Sequence, residues 1–244
     1  MKIGAGIKIN FERLIGLVYP RTCVLSHVPL PAENKLWVCD EAIEDRIRIE
    51  SPYCRRCGLM YAGEILSEFE CPNCVKLEFA FEEARAAYIA KGSVRELIHK
   101  FKYEQQLWLK NILGLWIEEA THLVEDWGQI DGLIPIPLHP ARKRERGFNQ
   151  SEVLAQTLAE KSGKPILKAI NRVKYTNSQV TMNRAERLTN LRKAFALNNK
   201  FELRGGYYAL IDDVFTTGAT AHECSRLLKK AGARKVLVLT VARG

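Results

Sequence analysis

The residues best suited to chemistry are two adjacent carboxylates, Asp212 and Asp213, followed by a run of small and hydroxyl-bearing residues at 216–220. The preceding run, 207–211, is aromatic and aliphatic without a polar break, as in a strand buried in a parallel sheet. Apolar residues then recur at helical spacing, so the small-residue run opens a helix. Backbone N–H groups at a helix start bind anions, and two acids at the same sheet edge suit the cis-diol of a sugar. The segment therefore predicts a site for ribose 5-phosphate.

This segment resembles the phosphoribosyl-pyrophosphate signature of type I phosphoribosyltransferases: hydrophobic residues, an acidic pair, then Thr-Thr-Gly with small residues. The resemblance implies that Asp212 and Asp213 hold the ribose hydroxyls and act catalytically as electrostatic stabilisers. It implies a wrapping of the 5′-phosphate by Thr216, Thr217, Gly218, Ala219 and Thr220. The simpler alternative, that two acids after a strand merely cap a helix, accounts for the acids but not for the rest of the motif.

Four cysteines form two C-x2-C pairs separated by thirteen residues: Cys54, Cys57, Cys71 and Cys74. In a reducing compartment this spacing is typical of a structural zinc site with a closed shell of four thiolates. A thioredoxin-like redox pair is the alternative for one C-x2-C, and a second pair nearby disfavours it. Because the surrounding residues lack the apolar mass for an independent core, zinc is expected to supply much of their folding free energy.

Three further cysteines stand outside these pairs. Cys23 and Cys39 each begin an incomplete C-x2-C, and His27 could complete a three-ligand set with them, although we favour a site that no longer binds metal. Cys224 shares a helix face with apolar residues and is expected to be a buried, inert thiol.

A second apolar strand, near 132–137, precedes a strongly basic segment. We expect a loop there that carries Arg142, Arg144 and Arg146 and leads to a helix beginning near Ser151. Guanidinium groups bind phosphate oxygens in bidentate geometry, so these arginines are candidates for a pyrophosphate or a nucleic-acid backbone. A solvated loop is the alternative for such a charge run.

Charge is distributed unevenly along the 244 residues. Residues 1–80 carry 10 Lys and Arg against 11 Asp and Glu, a net charge of −1, whereas residues 81–244 carry 27 against 17, a net charge of +10. A cationic field attracts phosphorylated sugars and nucleic acids alike, so charge alone does not choose between them. Charged residues interrupt 1–19, and no run is long enough for a membrane span, which favours a cytoplasmic protein.

A narrower resemblance covers most of the chain and rests on ordered sequence blocks. These are Pro52–Gly58, Leu97–Tyr103, the run Pro-Ile-Pro-Leu-His-Pro-Ala-Arg-Lys-Arg-Glu-Arg-Gly-Phe-Asn-Gln at 135–150, Gln179 with Arg187, Asn190 and Phe195, and the 212–220 segment. Together they resemble the ComF family of competence proteins, which join an N-terminal zinc module to a phosphoribosyltransferase-like domain.

That family commonly has four C-x2-C pairs, and this chain departs from the pattern at Ser26 and Ala42. We therefore expect one zinc per chain. The polar stretch 171–192 lies where related transferases carry a loop that closes over substrate. Arg184, Arg187 and Arg192 are candidate phosphate contacts from it, and an exposed basic helix is the alternative.

The expected architecture is a type I phosphoribosyltransferase-like α/β fold, with a doubly wound, mostly parallel sheet and a small zinc-ribbon-like module. We assign residues 1–80 to the zinc module, 81–128 to a helical connection that includes an amphipathic stretch at 94–115, and 129–244 to the phosphoribosyltransferase-like domain.

The family resemblance implies a cytoplasmic factor in natural transformation. Its ligands would be phosphoribosyl pyrophosphate with Mg²⁺ and single-stranded DNA, and its expected partner a competence helicase or a recombination protein. Aromatic residues interspersed with cations suit single-stranded DNA, and the candidates are Phe101, Tyr103, Trp108 and Phe148, although each is also a plausible core residue. The alternative is a salvage-type phosphoribosyltransferase that moves ribose 5-phosphate to a nitrogen base and releases pyrophosphate.

Overall fold

A parallel four-stranded sheet lies at the centre of the fold, with the strand order β1-β6-β5-β2. A computed structural model describes residues 20–61, 63, 65, 69–76, 78–174, 191, 193–198, 201, 203 and 205–244. The strands are β1 (Glu83–Ile89), β2 (Gly132–Pro135), β3 (Ile170–Arg172), β4 (Phe195–Leu197), β5 (Tyr207–Phe215) and β6 (Lys235–Arg243). All three pairings in the large sheet are parallel, whereas β3 and β4 form a separate antiparallel pair. The expected α/β class with a parallel sheet is confirmed.

Helices pack on both faces of this sheet. The helices in the described residues are α1 (Pro72–Val75), α2 (Gly92–Tyr103), α3 (Lys110–Thr121), α4 (Pro140–Arg146), α5 (Gln150–Ser162) and α6 (Ala219–Lys230), and of these α4 has no buried residue. One apolar cluster joins α2, α3 and α5 to the sheet, and the four-cysteine region and α6 cover the other face. Burial on both faces accounts for the nearly continuous apolar sequences of β5 and β6.

The segment 81–128 differs from the expected helical connection. It begins with β1, which pairs in parallel with β6 and so belongs to the sheet that contains β2 and β5. The amphipathic stretch 94–115 is divided between α2 and α3, which a 3-10 turn at Leu107–Leu109 separates.

The arginine-bearing segment forms a short helix, α4, where a loop was expected. His139 Nδ1 accepts a hydrogen bond from the backbone N–H of Ala141 at 3.2 Å, Pro140 fills the first turn, and Gly147 ends the helix with a φ of 79°. The next helix, α5, begins at Gln150, and the Asn149 side chain accepts from the N–H of Ser151 at 3.2 Å.

In the part of the chain that the structure describes, no helix combines the length and apolarity needed to span a membrane. Several residues of interest lie outside that part. These are Gln179, Arg184, Arg187, Asn190 and Arg192.

Candidate functional site

The small-residue run forms a tight turn between β5 and α6. Gly218 precedes the helix with a φ of 77°, and the Thr217 hydroxyl accepts from the N–H of Ala219 at 3.4 Å. A cavity of about 50 Å³ is bounded by residues 214–221 and by Asp212. The first N–H groups of a helix lack partners within the helix, so this turn can bind an anion. All five residues predicted around a phosphate therefore line one small cavity beside one of the two predicted acids.

Gly218 has no room for a side chain. A Cβ there would lie 2.7 Å from Cζ of Phe215 and 3.0 Å from Cε1 of Phe79, and the positive φ disfavours any residue with a Cβ. Two aromatic rings thus pack against the turn, one from β5 and one from the segment that follows the cysteine pairs.

We expect Gly218→Ala to lower the free energy of unfolding by about 3 kcal/mol, since an alanine at positive φ costs about 1–2 kcal/mol and overpacking adds about 1–3 kcal/mol. Gly163→Ala is the matched control, because Gly163 also has a positive φ, 70°, but has open space around its would-be Cβ. Urea denaturation of both variants measures the difference. Equal losses in the two variants would show that the aromatic rings do not constrain the turn.

The acidic pair lies near the carboxyl end of β5, where it was predicted, and the strand continues two residues beyond it, to Phe215. Asp213 is buried and pairs with Lys102, whose Nζ lies 2.7 Å from Oδ1 of Asp213. Asp212 Oδ1 accepts hydrogen bonds from the Ser151 hydroxyl at 2.9 Å and from the N–H of Asp213 at 3.0 Å. The two carboxylates are therefore held by α2 and α5 at the carboxyl end of β5.

Burial, and then the neighbouring Asp213, raises the pKa of Asp212 from 3.8 to about 6, while Lys102 and Ser151 oppose the shift. A carboxyl whose pKa is raised on folding costs stability when it is ionised. That cost is fully present above pH 6 and disappears as the pH falls towards 3.8.

Asp212→Asn is therefore expected to raise the urea midpoint at pH 8, with a smaller gain at pH 5. The asparagine keeps the shape of the side chain and removes its charge. Midpoints that change equally at both pH values would contradict a raised pKa for Asp212.

The three predicted arginines all lie on α4. Arg144 lines a cavity of about 750 Å³ whose other cations are Lys143, Lys168 and Arg172. Arg146 lies over the ring of Tyr103, with 4.7 Å from Cζ to the ring centroid, and donates to Gln150 Oε1 at 3.0 Å. Arg144 and Arg146 therefore have different neighbours, and a role of the three arginines in phosphate binding stays a prediction.

Two cations near the acids were missed by the sequence analysis. Lys102 lies in a block quoted for the family resemblance, but no spacing links it to Asp213. Burial, and then the positive charge of Arg142, lower the pKa of Arg172 on β3. The carboxylate of Asp212 acts in the opposite direction. Arg172 and Arg142 therefore lie close enough to affect each other electrostatically, in the neighbourhood of the carboxylate pair.

The four predicted cysteines converge in a buried cluster, with all four Sγ atoms within 4.8 Å of one another. The Sγ atoms of Cys57 and Cys71 are 3.7 Å apart. Tetrahedral zinc with Zn–S bonds of about 2.3 Å places its sulfurs about 3.8 Å apart, so the cluster fits the metal. A hydrogen bond from the Cys57 thiol lowers the pKa of Cys54, and the same bond, together with burial, raises the pKa of Cys57.

The first two half-motifs form a different arrangement. The N–H of Ser26 donates to the Cys23 sulfur at 3.5 Å, and the Ser26 hydroxyl lies 3.4 Å from the Cys39 sulfur. His27 is exposed and joins no cluster of metal-ligating groups among the described residues. Cys224 is fully buried in α6, as expected.

Comparison with curated proteins finds relatives along most of the chain. Competence protein F of Haemophilus influenzae is 35% identical over 203 residues, which are 79% of this chain and 85% of the relative. The chain belongs to the competence protein F family. Another family relative, the DNA utilization protein YhgH of Salmonella typhimurium, is 29% identical over 93% of this chain and 99% of its own length. Competence protein ComFC of Streptococcus pneumoniae is 25% identical over 80% of this chain and 89% of its own.

No protein-family model matches the chain. Parts of it superpose on larger enzymes of known structure. A glutamine phosphoribosylpyrophosphate amidotransferase from B. subtilis matches with a TM-score of 0.34 and 21% identity over 53% of this chain. The allosteric regulatory enzyme of purine biosynthesis matches with the same TM-score and 19% identity over 54%. This chain spans about a quarter of each enzyme's length.

Proposed function

We propose that this member of the competence protein F family is a cytoplasmic DNA-uptake factor that binds phosphoribosyl pyrophosphate and single-stranded DNA. The observation that carries the sugar-phosphate part is the small cavity at the end of β5, where Asp212 and the turn at 216–220 meet. An anion at the turn and a diol at the acids describe the two ends of a ribose 5-phosphate.

The surrounding cations suit the pyrophosphate group. Lys102 forms an ion pair with Asp213, and Arg172 and Arg142 lie within electrostatic range of each other. Mg²⁺ would enter with the ligand, bound to its pyrophosphate oxygens, and would neutralise charge there. The protein's own groups would orient the ribose through the acids and fix its phosphate through backbone N–H groups.

The DNA part rests on two exposed aromatic side chains, of which Tyr103 lies beside α4. Tyr103 is 59% exposed and Trp108 is 43% exposed, with Arg146 against the Tyr103 ring. Aromatic rings next to cations stack bases and hold phosphates of single strands. Phe101 is fully buried and packs on Phe148, so the expectation that Phe101 stacks a base is withdrawn.

We expect Tyr103→Ala with Trp108→Ala to weaken binding of a short single-stranded DNA by about tenfold or more, since each stacked base contributes about 1–3 kcal/mol. Tyr61→Ala is the matched control, because Tyr61 is 48% exposed and packs on Phe69 near the cysteine cluster. Gel shifts at about 50 and 200 mM salt measure both affinity and salt dependence. Wild-type affinity in the double variant would place DNA elsewhere.

A phosphoribosyltransferase activity is a second candidate because of the cavity of about 750 Å³ beside α4. It offers room for an acceptor, with Pro135 and Pro137 as apolar walls and Asn149 as a polar group. Calorimetry with phosphoribosyl pyrophosphate, together with an assay for released pyrophosphate in the presence of free bases, separates binding from turnover.

A further inference from the structure

The segment after the second cysteine pair packs against the turn at 216–220. Phe79 and Phe81 are stacked with their ring centroids 4.6 Å apart, and Phe81 meets Phe215 edge-on at 5.8 Å. Both phenylalanines are buried. Phe79 is also one of the two rings that exclude a side chain at Gly218. The position of the turn therefore depends on the chain that leaves the cysteine cluster.

A hydrogen bond ties the same segment to the start of α6. The N–H of Ala80 donates to Nδ1 of His222 at 3.2 Å, and the N–H of His222 donates to the carbonyl of Gly218 at 2.7 Å. His222 thus connects the cysteine-bearing segment to the residue at which the turn becomes a helix.

Arg243, the last residue of β6, contacts both the cysteine cluster, at Cys57, and the residue before the turn, Phe215, with one guanidinium group. Its Nε donates to the carbonyl of Cys57 at 3.2 Å, and its Nη2 lies 3.9 Å from the Cys57 sulfur. Its Nη1 donates to the carbonyl of Phe215 at 3.3 Å, and its Cζ lies 5.1 Å from the Phe215 ring centroid. The planar guanidinium has enough donors to serve both sides, whereas a lysine has a single ammonium group.

We infer that the four-cysteine centre supports the turn at 216–220, with Arg243 as the positioning residue that joins them, so that zinc binding and sugar-phosphate binding are coupled. This inference rests on the proposed sugar-phosphate function. Zinc fixes Cys57, and donors around a metal-bound thiolate are themselves held in place by it. Coupling of this kind is reciprocal: each ligand strengthens the other by the same factor.

The test uses the full-length wild type, Arg243→Gln and a matched control, Arg226→Gln. Arg226 lies on α6 and donates to Glu223, and within the described part of the chain its guanidinium bonds to neither the turn nor the cysteines. Zinc affinity is measured by competition with a chelator, with and without phosphoribosyl pyrophosphate. Affinity for phosphoribosyl pyrophosphate is measured by calorimetry before and after zinc removal.

In the wild type and Arg226→Gln, each ligand is expected to strengthen the other by about tenfold or more. Arg243→Gln should retain one zinc per chain while this factor falls below about threefold. The inference is overturned if Arg243→Gln retains the wild-type factor, or if the wild type binds both ligands independently.

If the zinc-bound wild type does not bind phosphoribosyl pyrophosphate, the proposed function fails. Amide hydrogen exchange then tests whether the four-cysteine centre still holds the turn at 216–220 in place. Zinc removal should then speed exchange at residues 215–222 in the wild type by about tenfold or more. Zinc-bound Arg243→Gln should exchange in this segment faster than zinc-bound Arg226→Gln. Exchange that is indifferent to zinc and to Arg243 overturns the inference.

Discussion

Replacing Asp212 and Asp213 by alanine together is expected to weaken phosphoribosyl-pyrophosphate binding by about a hundredfold or more, while one zinc per chain is retained. A hydrogen bond to a charged group contributes about 1.5–3 kcal/mol, and the variant loses two carboxylates that would accept from the ribose hydroxyls. Calorimetry measures the affinity, and a metal assay measures the zinc. The cysteine cluster includes neither residue, so the metal should be unaffected.

The double change also leaves Lys102 without its carboxylate partner, so a second variant separates lost binding from lost folding. Asp212→Asn with Asp213→Asn keeps the side-chain volume and should lose affinity to a similar degree. Asp126→Ala is the control, because Asp126 lies on the surface near the amino end of β6 and pairs with Lys235. Wild-type affinity in the double asparagine variant would exclude the acids from the binding site.

Replacing Cys54 and Cys57 by serine is expected to abolish zinc binding and to lower the free energy of unfolding by several kcal/mol. Structural zinc contributes about 10–16 kcal/mol to zinc-finger peptides, and the cysteine region here packs on a face of the main sheet. Loss of the metal would therefore loosen Phe79 and Phe81 as well. Metal analysis and urea denaturation measure the two effects.

Cys39→Ser provides the control for this second prediction. Cys39 lies outside the four-cysteine cluster and is partly exposed. The Cys39→Ser variant should keep one zinc per chain and near wild-type stability. A full equivalent of zinc in Cys54→Ser with Cys57→Ser would contradict a four-thiolate centre.

Local patterns predicted the parts of the site that are contiguous in sequence. The turn at 216–220 and the C-x2-C pairs are each defined by nearby residues, and the structure brings each set together. The signals for α4 were also present, because Pro140 and Gly147 fit the start and the end of a helix. The density of charge in that segment masked them.

Contacts between distant elements could not be predicted in the same way. Lys102 and Arg243 reach the site only because α2 packs on the sheet and β6 lies between β1 and β5. No spacing in the sequence links either residue to the acids or to the turn.

The strand β1 was missed because its sequence includes Glu83 and Arg85, which are unusual in a buried strand. Arg85 is buried because it pairs with Glu83 and donates to the carbonyl of Arg55 at 2.8 Å. Tertiary partners thus overrode a local pattern that disfavoured a buried strand.

The central claim is that Asp212, Asp213 and the turn at 216–220 hold the two ends of one sugar phosphate. The most direct measurement is a crystal structure of the protein soaked with phosphoribosyl pyrophosphate and Mg²⁺. We predict the 5′-phosphate against the N–H groups of the turn and the ribose diol against the two carboxylates. A ligand bound elsewhere, with the turn empty and Lys102 still paired to Asp213, would contradict it.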